Sequence, residues 1–302
     1  MNKKTLALSG VALTSMMALG CPGPTGGDTG PTVRDSGPTM APISQTYIVG
    51  AISIPSAPDA MNRVPGFNLD ATNSMDGTGV GCVAGNEDYT SLTGEAGVDN
   101  LFVGSLVGTL EGIGMLNVQT SVNEQITSGS LLLAMRVNDI NSFANDPSVT
   151  LDLFLVKQGD CAGATCPVVG GVMAGQAWRQ RDAAYASGVM ATITAGSLRA
   201  TVPSLPLNFT ASGMPINLTI QNANIGATIT ATGLTTGQIG GGIAFSQLVM
   251  IAQGIMPSLT EPTLRGLINA DLNPRAADAN TCDSISVGLG FTAVPALSVA
   301  AL

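Results

Sequence analysis

The stretch that decides the fold runs from residue 216 to residue 230 and reads INLTIQNANIGATIT. Ile, Leu or Ala alternates with Asn, Thr or Gly along most of it, which is the two-residue period of a strand with one face in a core. Asn222 and Asn224 lie between two such runs, so we expect a hairpin turn there. The same alternation recurs at 207–210 and 285–291. These patterns predict a chain built mainly from half-buried β-strands.

Four earlier runs are also typical of strands, and they lie at 46–54, 130–138, 149–157 and 189–195. Short strands joined by short connections favour a largely antiparallel arrangement. We therefore predict a fold that is mainly β with some α. The expected architecture is an antiparallel β-sandwich-like domain with helices packed on or across one end.

Apolar residues recur at helical spacing in three places. The first place is 98–106, where the apolar residues are Val98, Leu101, Phe102 and Leu106 and Asp99 suits the first turn. The second is the hydrophobic stripe 245–256. The third follows Thr260, which is suited to cap a helix that carries Pro262 in its first turn. We expect these three segments to pack against the sheet.

The composition excludes several classes of function. The 302 residues include no His, so neither a His-dependent catalytic triad nor a His-ligated metal centre is available. Lys and Arg total 11 against 20 for Asp and Glu, and the net charge of −9 argues against nucleic-acid binding. The stretch 183–260 holds one charged residue, Arg199. So few charges are compatible with the wall of a transmembrane barrel and with a sheet that is packed on both faces, and we favour the packed sheet.

The amino terminus is typical of an exported lipoprotein. Lys3 and Lys4 precede an apolar run too short to span a bilayer, and residues 1–20 are predicted to be a signal peptide. The sequence Ala-Leu-Gly-Cys that ends at Cys21 resembles a bacterial lipobox, with Ala in place of the usual Leu. We expect Cys21 to carry the lipid, 21–44 to be a Pro/Gly/Thr-rich linker, and 45–302 to be a single β-rich domain. An incidental Cys after an ordinary signal peptide is the alternative.

The cysteine count fits this interpretation. Five Cys are present, and lipidation of Cys21 leaves four, which allow three pairings. Cys161 and Cys166 close a small loop easily, which leaves Cys82 to pair with Cys282. A four-thiol metal site is the competing interpretation, but it lacks a C-x-x-C pair and the expected compartment is oxidising.

Acidic residues are concentrated between positions 59 and 99, where Gly is also frequent. Flexible, oxygen-rich loops of this kind suit Ca²⁺, although the EF-hand spacing is absent. The preferred calcium ligands are Asp70, Asp76, Asp88 and Asp99. A solvated acidic loop that keeps the protein soluble is the alternative. Glu87 and Asp88 form the obvious carboxylate pair for a hydrolase, but adjacent residues of a strand point to opposite faces.

Two segments together resemble a known group of proteins. They are GFNLDATNSMDGTGVGCVAGNEDYTSLTGEAGVDNLF at 66–102 and CDSISVGLGFTAVPA at 282–296. The resemblance is to uncharacterised surface lipoproteins of the myxobacterial type, in which a G-[IV]-D-N turn and a closing Cys-Asp-x-Ile-Ser strand recur. It implies no activity, but it supports pairing Cys82 with Cys282. It also implies a structural or metal-binding role for Asp99 and Asn100.

The sequence thus favours a non-enzymatic lipoprotein of the cell envelope, which we expect at the outer membrane. Its disulfide-tied, β-rich domain would bind or scaffold an envelope or surface ligand, with calcium as the candidate cofactor. The predicted partners are the membrane, through the lipid anchor, and this unidentified ligand. One alternative is a His-free hydrolase that uses carboxylates. Another is a carrier of an apolar ligand between the sheet and the helix at 245–256.

Overall fold

The computed structural model describes residues 41–71, 73, 88–108, 117–163, 166–211, 214–255, 257–268, 270–271 and 282–302. They belong to one compact unit, Met40–Leu302. The predicted signal peptide, Cys21 and most of the predicted linker lie outside the described residues. The first strand begins at Ile43, so it includes the last two residues of the predicted linker.

The described residues form thirteen strands, one π-helix and three α-helices. The strands are β1 Ile43–Ser53, β2 Arg63–Val64, β3 Tyr89–Ser91, β4 Ala96–Val98, β5 Leu133–Ile140, β6 Asp146–Gln158, β7 Ala177–Gln180, β8 Ala186–Thr194, β9 Ser197–Ala211, β10 Met214–Thr230, β11 Gly233–Ala244, β12 Ser284–Pro295 and β13 Ser298–Ala300. The π-helix is Phe102–Val107, and the α-helices are α1 Val118–Thr127, α2 Phe245–Ile255 and α3 Glu261–Leu267.

Eight of these strands close into an antiparallel barrel in the order β1, β12, β11, β10, β9, β8, β6, β5. Strand β6 closes it, because one of its edges pairs with β5 and the other pairs with β8. Beyond the β8 pairing, the end of β6 pairs with β7, and β7 pairs in parallel with β13. A separate small sheet is formed by β2, β3 and β4.

The predicted mainly β, antiparallel fold is confirmed, but the predicted sandwich is wrong, because the main sheet is a closed barrel. Strands with one face in a core show the same alternation in both architectures. The difference is made by the pairing between β6 and β8, which are separated in sequence by β7. Periodicity carries no information on such a long-range pairing.

The hairpin turn expected between Asn222 and Asn224 is also wrong, because both residues lie within the continuous strand β10. The pairing of β10 with β11 shifts in register between Gln221 and Asn224, which marks a bulge. Asn222 occupies the left-handed region with φ of 48°. Asn tolerates that conformation better than most residues, so the same residue type serves a bulge as well as a turn.

The barrel interior is filled by apolar side chains from all eight strands. Fully buried examples, at 2% exposure or less, are Val49, Leu133, Leu151, Ile193, Leu198, Ile220, Ile243 and Val287. A cavity of about 20 Å³ lies among these side chains and is lined only by apolar residues. It has room for about one water molecule. An eight-stranded barrel is just wide enough for its own side chains to fill it.

Helix α1 packs against β1 and β9 and was not expected from the sequence. Its buried Val118, Val122 and Ile126 join the barrel core. Gln119 Nε2 donates to the Ile52 carbonyl at 2.6 Å, so a polar side chain of the helix binds the end of β1. The spacing i, i+4, i+8 of these three apolar residues is the one sequence feature that indicates a helix. The helix was not predicted because the segment is rich in Thr, Val, Ser and Asn, which have low helix propensity.

The other helical predictions have different outcomes. The predicted helix at 245–256 corresponds to α2, with Met256 outside the described residues. The predicted helix after Thr260 is α3, whose cap is Thr260 and whose first turn contains Pro262. The helix expected from Val98 is wrong at its start, because Val98 ends β4 and the helical turns there are π-helical. Among the described residues, no helix has the length and hydrophobicity of a membrane span.

The closed barrel predicts that cysteines placed on β6 and β8 will form a disulfide. Thr150 and Met190 are direct cross-strand partners, and Met190 is 69% exposed. Thr150→Cys with Met190→Cys should therefore oxidise, because a disulfide needs Cα atoms within about 7 Å. Non-reducing peptide mapping by mass spectrometry would detect the bridge.

The matched control is Thr150→Cys with Thr228→Cys, which places the second thiol on β10. That strand is three steps from β6 around the barrel, or roughly 14 Å at 4.8 Å per strand. It should not oxidise. Equal yields from the two pairs would contradict closure through β6 and β8.

Candidate functional site

Three of the four predicted calcium ligands, Asp70, Asp88 and Asp99, lie in a segment that covers one side of the barrel. We call residues 64–70 and 88–103 the strap. An isolated bridge joins its two parts, since the Asp99 amide donates to the Phe67 carbonyl at 3.0 Å. The Phe67 ring rests on Gly226 of β10 and Gly240 of β11, where a Cβ would approach it to 3.1 and 2.8 Å. The missing side chains on the barrel wall therefore make room for the strap.

Asn100 fixes the strap to β12. Its Nδ2 donates to the carbonyl of Pro65 at 2.8 Å and to the carbonyl of Gly288 at 3.0 Å. Its Oδ1 accepts from the amide of Val103 at 3.1 Å. The side chain is 1% exposed, and leaving such a buried amide without partners would cost about 1–3 kcal/mol. A Cβ at Gly288 would lie 2.1 Å from the Pro65 carbonyl oxygen, so only Gly allows this contact.

Asp99 is a buried carboxylate, 8% exposed, that joins the two parts of the strap. Its Oδ2 accepts from the amides of Leu69 at 2.6 Å and Asp70 at 3.3 Å. Burial raises the pKa of Asp99 to about 7, and repulsion from Asp70, Asp271 and Asp88 adds to the rise. Asp70, Asp88 and Asp271 thus lie within electrostatic range of Asp99.

Asp271 belongs to this group, although sequence reasoning missed it. It accepts hydrogen bonds from the Ser286 amide at 2.7 Å and from the Ser286 hydroxyl. The Ser286 hydroxyl oxygen in turn accepts from the Leu101 amide of the strap at 2.7 Å. Burial raises the pKa of Asp271 to about 6, and repulsion from Asp70 contributes. Asp271 lies far from the acidic segment 59–99 in sequence. The alternation at 285–291 predicted the strand that contains Ser286, but it did not predict the contact with Asp271.

The predicted calcium ligands are thus brought together in part. Asp70, Asp88 and Asp99 interact electrostatically, whereas Asp76 lies outside the described residues. Within the described part of the chain, no group of three or more acidic or Cys side chains could hold a metal ion. The hydrogen bonds of Asp99 and Asn100 give this turn a structural role.

The carboxylate pair of the hydrolase alternative is only half described. Asp88 is 3% exposed, and Glu87 lies outside the described residues. A buried Asp88 is poorly placed to meet a substrate from solvent, since general acids and bases need hydrogen-bond reach to the reacting group.

The cysteines follow the predicted pattern as far as they are described. Cys161 and Cys166 form the local disulfide, with 6.2 Å between their Cα atoms. Cys282 is disulfide-bonded, but Cys82 lies outside the described residues. The pairing of Cys82 with Cys282 therefore stays a prediction.

The space for an apolar ligand lies outside the barrel. A groove of about 360 Å³ separates the start of β10 from α2. Ile216 and Met250 line it together with the amides of Asn217 and Gln247, and Met250 is 65% exposed. A second groove, of about 330 Å³, crosses the outer faces of β8, β9 and β10. Both volumes lie at the lower end of the range of small-molecule sites.

Comparison with protein-family models, with curated proteins and with solved structures finds no match to this chain. Its functional interpretation therefore depends on its own residues and their geometry.

The carboxylates of Asp99 and Asp271 predict an unusual dependence of stability on pH. The folded-state pKa values of Asp99 and Asp271, about 7 and about 6, lie above the unfolded value of about 4. Their protonated forms stabilise the fold, and this contribution is full below about pH 4 and lost as the pH rises through about 6 to 7. We expect the melting temperature to fall between about pH 5 and pH 8. The chain has no His, so few other side chains titrate in this window.

Asp99→Asn should flatten this dependence, because Asn keeps a side-chain oxygen for the two amides but does not ionise. Asp139→Asn is the matched control, since Asp139 is exposed and its φ of 61° suits Asn. Melting curves at four pH values would measure the difference. Identical pH profiles for the wild type and Asp99→Asn would contradict the assignment.

Proposed function

We propose that this chain is a non-enzymatic lipoprotein of the bacterial cell envelope, anchored by Cys21 to the outer membrane. Its β-barrel domain would bind or scaffold a ligand at the envelope surface. The Pro/Gly/Thr-rich segment that ends near Ile43 would serve as the tether between the lipid and the first strand.

The observation that carries this proposal is the Cys161–Cys166 disulfide. Structural disulfides persist in oxidising compartments and are rare in the reducing cytosol. The bridge therefore supports export, which the signal-like residues 1–20 predict independently. The Ala-Leu-Gly-Cys sequence at 18–21 then supports retention at a membrane over release.

The packing of the barrel supports binding by the outer surface. The interior cavity of about 20 Å³ is too small for an organic ligand, whereas the two outer grooves each exceed 300 Å³. The strap adds a rigid, hydrogen-bonded layer on one side of the barrel. A rigid scaffold that carries surface grooves suits recognition.

Acylation of Cys21 is the direct test of this proposal. Expressed in a bacterium that processes lipoproteins, the wild-type chain should begin at Cys21, carry fatty acyl mass and sediment with membranes. Cys21→Ala should lose the acyl mass and leave the membrane fraction, because the several acyl chains on Cys21 would provide the anchor. Intact-mass spectrometry measures both forms. A wild-type chain without acyl mass would refute the proposal.

Calcium binding is tested separately by calorimetry. If Asp70, Asp88 and Asp99 take part in a calcium site, about 1 mM Ca²⁺ should raise the melting temperature relative to EDTA, because a ligand of the folded state stabilises it. Asp70→Asn should lose this increase, and Asp139→Asn should retain it. An unchanged wild-type melting temperature would contradict calcium binding.

A further inference from the structure

The groove across the outer faces of β8, β9 and β10 has a mixed lining that suits a particular chemistry. Its polar residues are Thr192, Arg199, Thr201 and Asn224, and Met190 and Pro147 form an apolar side. The outer face of a barrel is normally convex. Here Phe67 of the strap also lines the groove, so the strap helps to turn the wall into a depression of about 330 Å³.

Arg199 is the single charged residue between 183 and 260, and it lies in this groove. Its guanidinium carbon lies 5.1 Å from the centroid of the Phe67 ring, which orients the group by a cation–π contact. Its ion-pair partner is Glu95, with 3.6 Å between Nη2 and Oε2, which is longer than a hydrogen bond. The Arg199 side chain is 46% exposed. A fixed, accessible guanidinium thus faces a wall that is otherwise uncharged.

Asn224 places further donors beside this guanidinium. Thr201 and Asn224 are direct cross-strand partners, and the Thr201 hydroxyl donates to Asn224 Oδ1 at 2.7 Å. Since the amide oxygen accepts this bond, the two N–H groups of Nδ2 are the part of Asn224 that suits an acceptor on a ligand. The guanidinium and this amide are both donors, which favours an oxygen-bearing anion.

The apolar side of the groove indicates that the anion carries an organic body. Met190 is 69% exposed, and its flexible thioether side chain adapts to different shapes. Pro147 is exposed at the start of β6. An inorganic anion would leave both residues without contacts, whereas a compact hydrocarbon or ring body would cover them.

We propose that this groove binds a small organic carboxylate. The carboxylate is held by the planar donor fork of Arg199, which matches two oxygens at once, and by the Asn224 amide. The body of the acid rests on Met190 and Pro147. This inference names a ligand class for the proposed binding function. It does not depend on the anchor, because binding and acylation are measured independently.

Substitution of Glu95 tests the proposal through the direction in which the affinity for the acid changes. The Glu95 carboxylate shares Arg199 with the ligand, so it competes with the bound acid and repels it. Glu95→Gln should therefore tighten binding, whereas Arg199→Gln should weaken it. A merely structural role of the Arg199–Glu95 pair would make both variants change the affinity in the same direction or not at all.

Isothermal titration of the purified full chain with benzoate, hexanoate and glucuronate tests the proposal. Benzyl alcohol, hexanol and glucose are the matched neutral probes. At least one acid should bind with Kd below about 10 mM, and its neutral analogue should bind about tenfold more weakly or worse. Arg199→Gln should weaken the acid about tenfold, Arg199→Lys should weaken it less, and Glu95→Gln should tighten it.

The variant Asn224→Asp distinguishes a direct loss of acid binding from a loss caused by misfolding. It keeps the acceptor for Thr201 but adds a negative charge to the groove, so it should weaken the acids and leave the melting temperature near the wild-type value. The proposal is overturned if none of the three acids binds below about 10 mM. It is also overturned if Arg199→Gln binds them as the wild type does.

Discussion

The rest of the structure depends on one constraint, the pairing of β6 with β5 on one edge and with β8 on the other. This pairing closes the sheet, and a closed eight-stranded sheet encloses only enough volume for its own side chains. The interior is accordingly filled by residues such as Val49, Leu151 and Ile220. The grooves large enough for a small molecule therefore lie on the outer side of the wall.

The strap is the main addition to that wall, and its attachment combines two kinds of contact. Glycines at 226, 240 and 288 let Phe67 and the Pro65 backbone approach the strands closely. Hydrogen bonds from Asn100 and through Ser286 then hold the strap in register. In this arrangement Asp99 is buried and Asp271 is half-buried, and the loss of solvent raises the pKa of each. The raised pKa values of these carboxylates thus follow from the attachment of the strap to the barrel.

Several features could be predicted from the sequence because they are local. Alternation located β1, β5, β6 and β8, and helical spacing with the Thr260 cap located α2 and α3. The C-A-G-A-T-C spacing indicated the disulfide. Helix α1 was missed because its β-branched and polar residues have low helix propensity, although its buried stripe is regular. The hairpin turn predicted at Asn222 was wrong because Asn adopts the left-handed conformation in both turns and bulges.

The sequence by itself determined which residues alternate between core and solvent, which groups are available for chemistry, and where the charges are sparse. Tertiary structure alone decided that the sheet closes, that Asp271 joins the carboxylates of the strap, and that Arg199 meets Phe67 and Glu95. The physical reason is that these contacts join residues far apart along the chain. Local periodicity and propensity act over a few residues, whereas pairing between distant strands depends on how the whole chain buries its apolar faces.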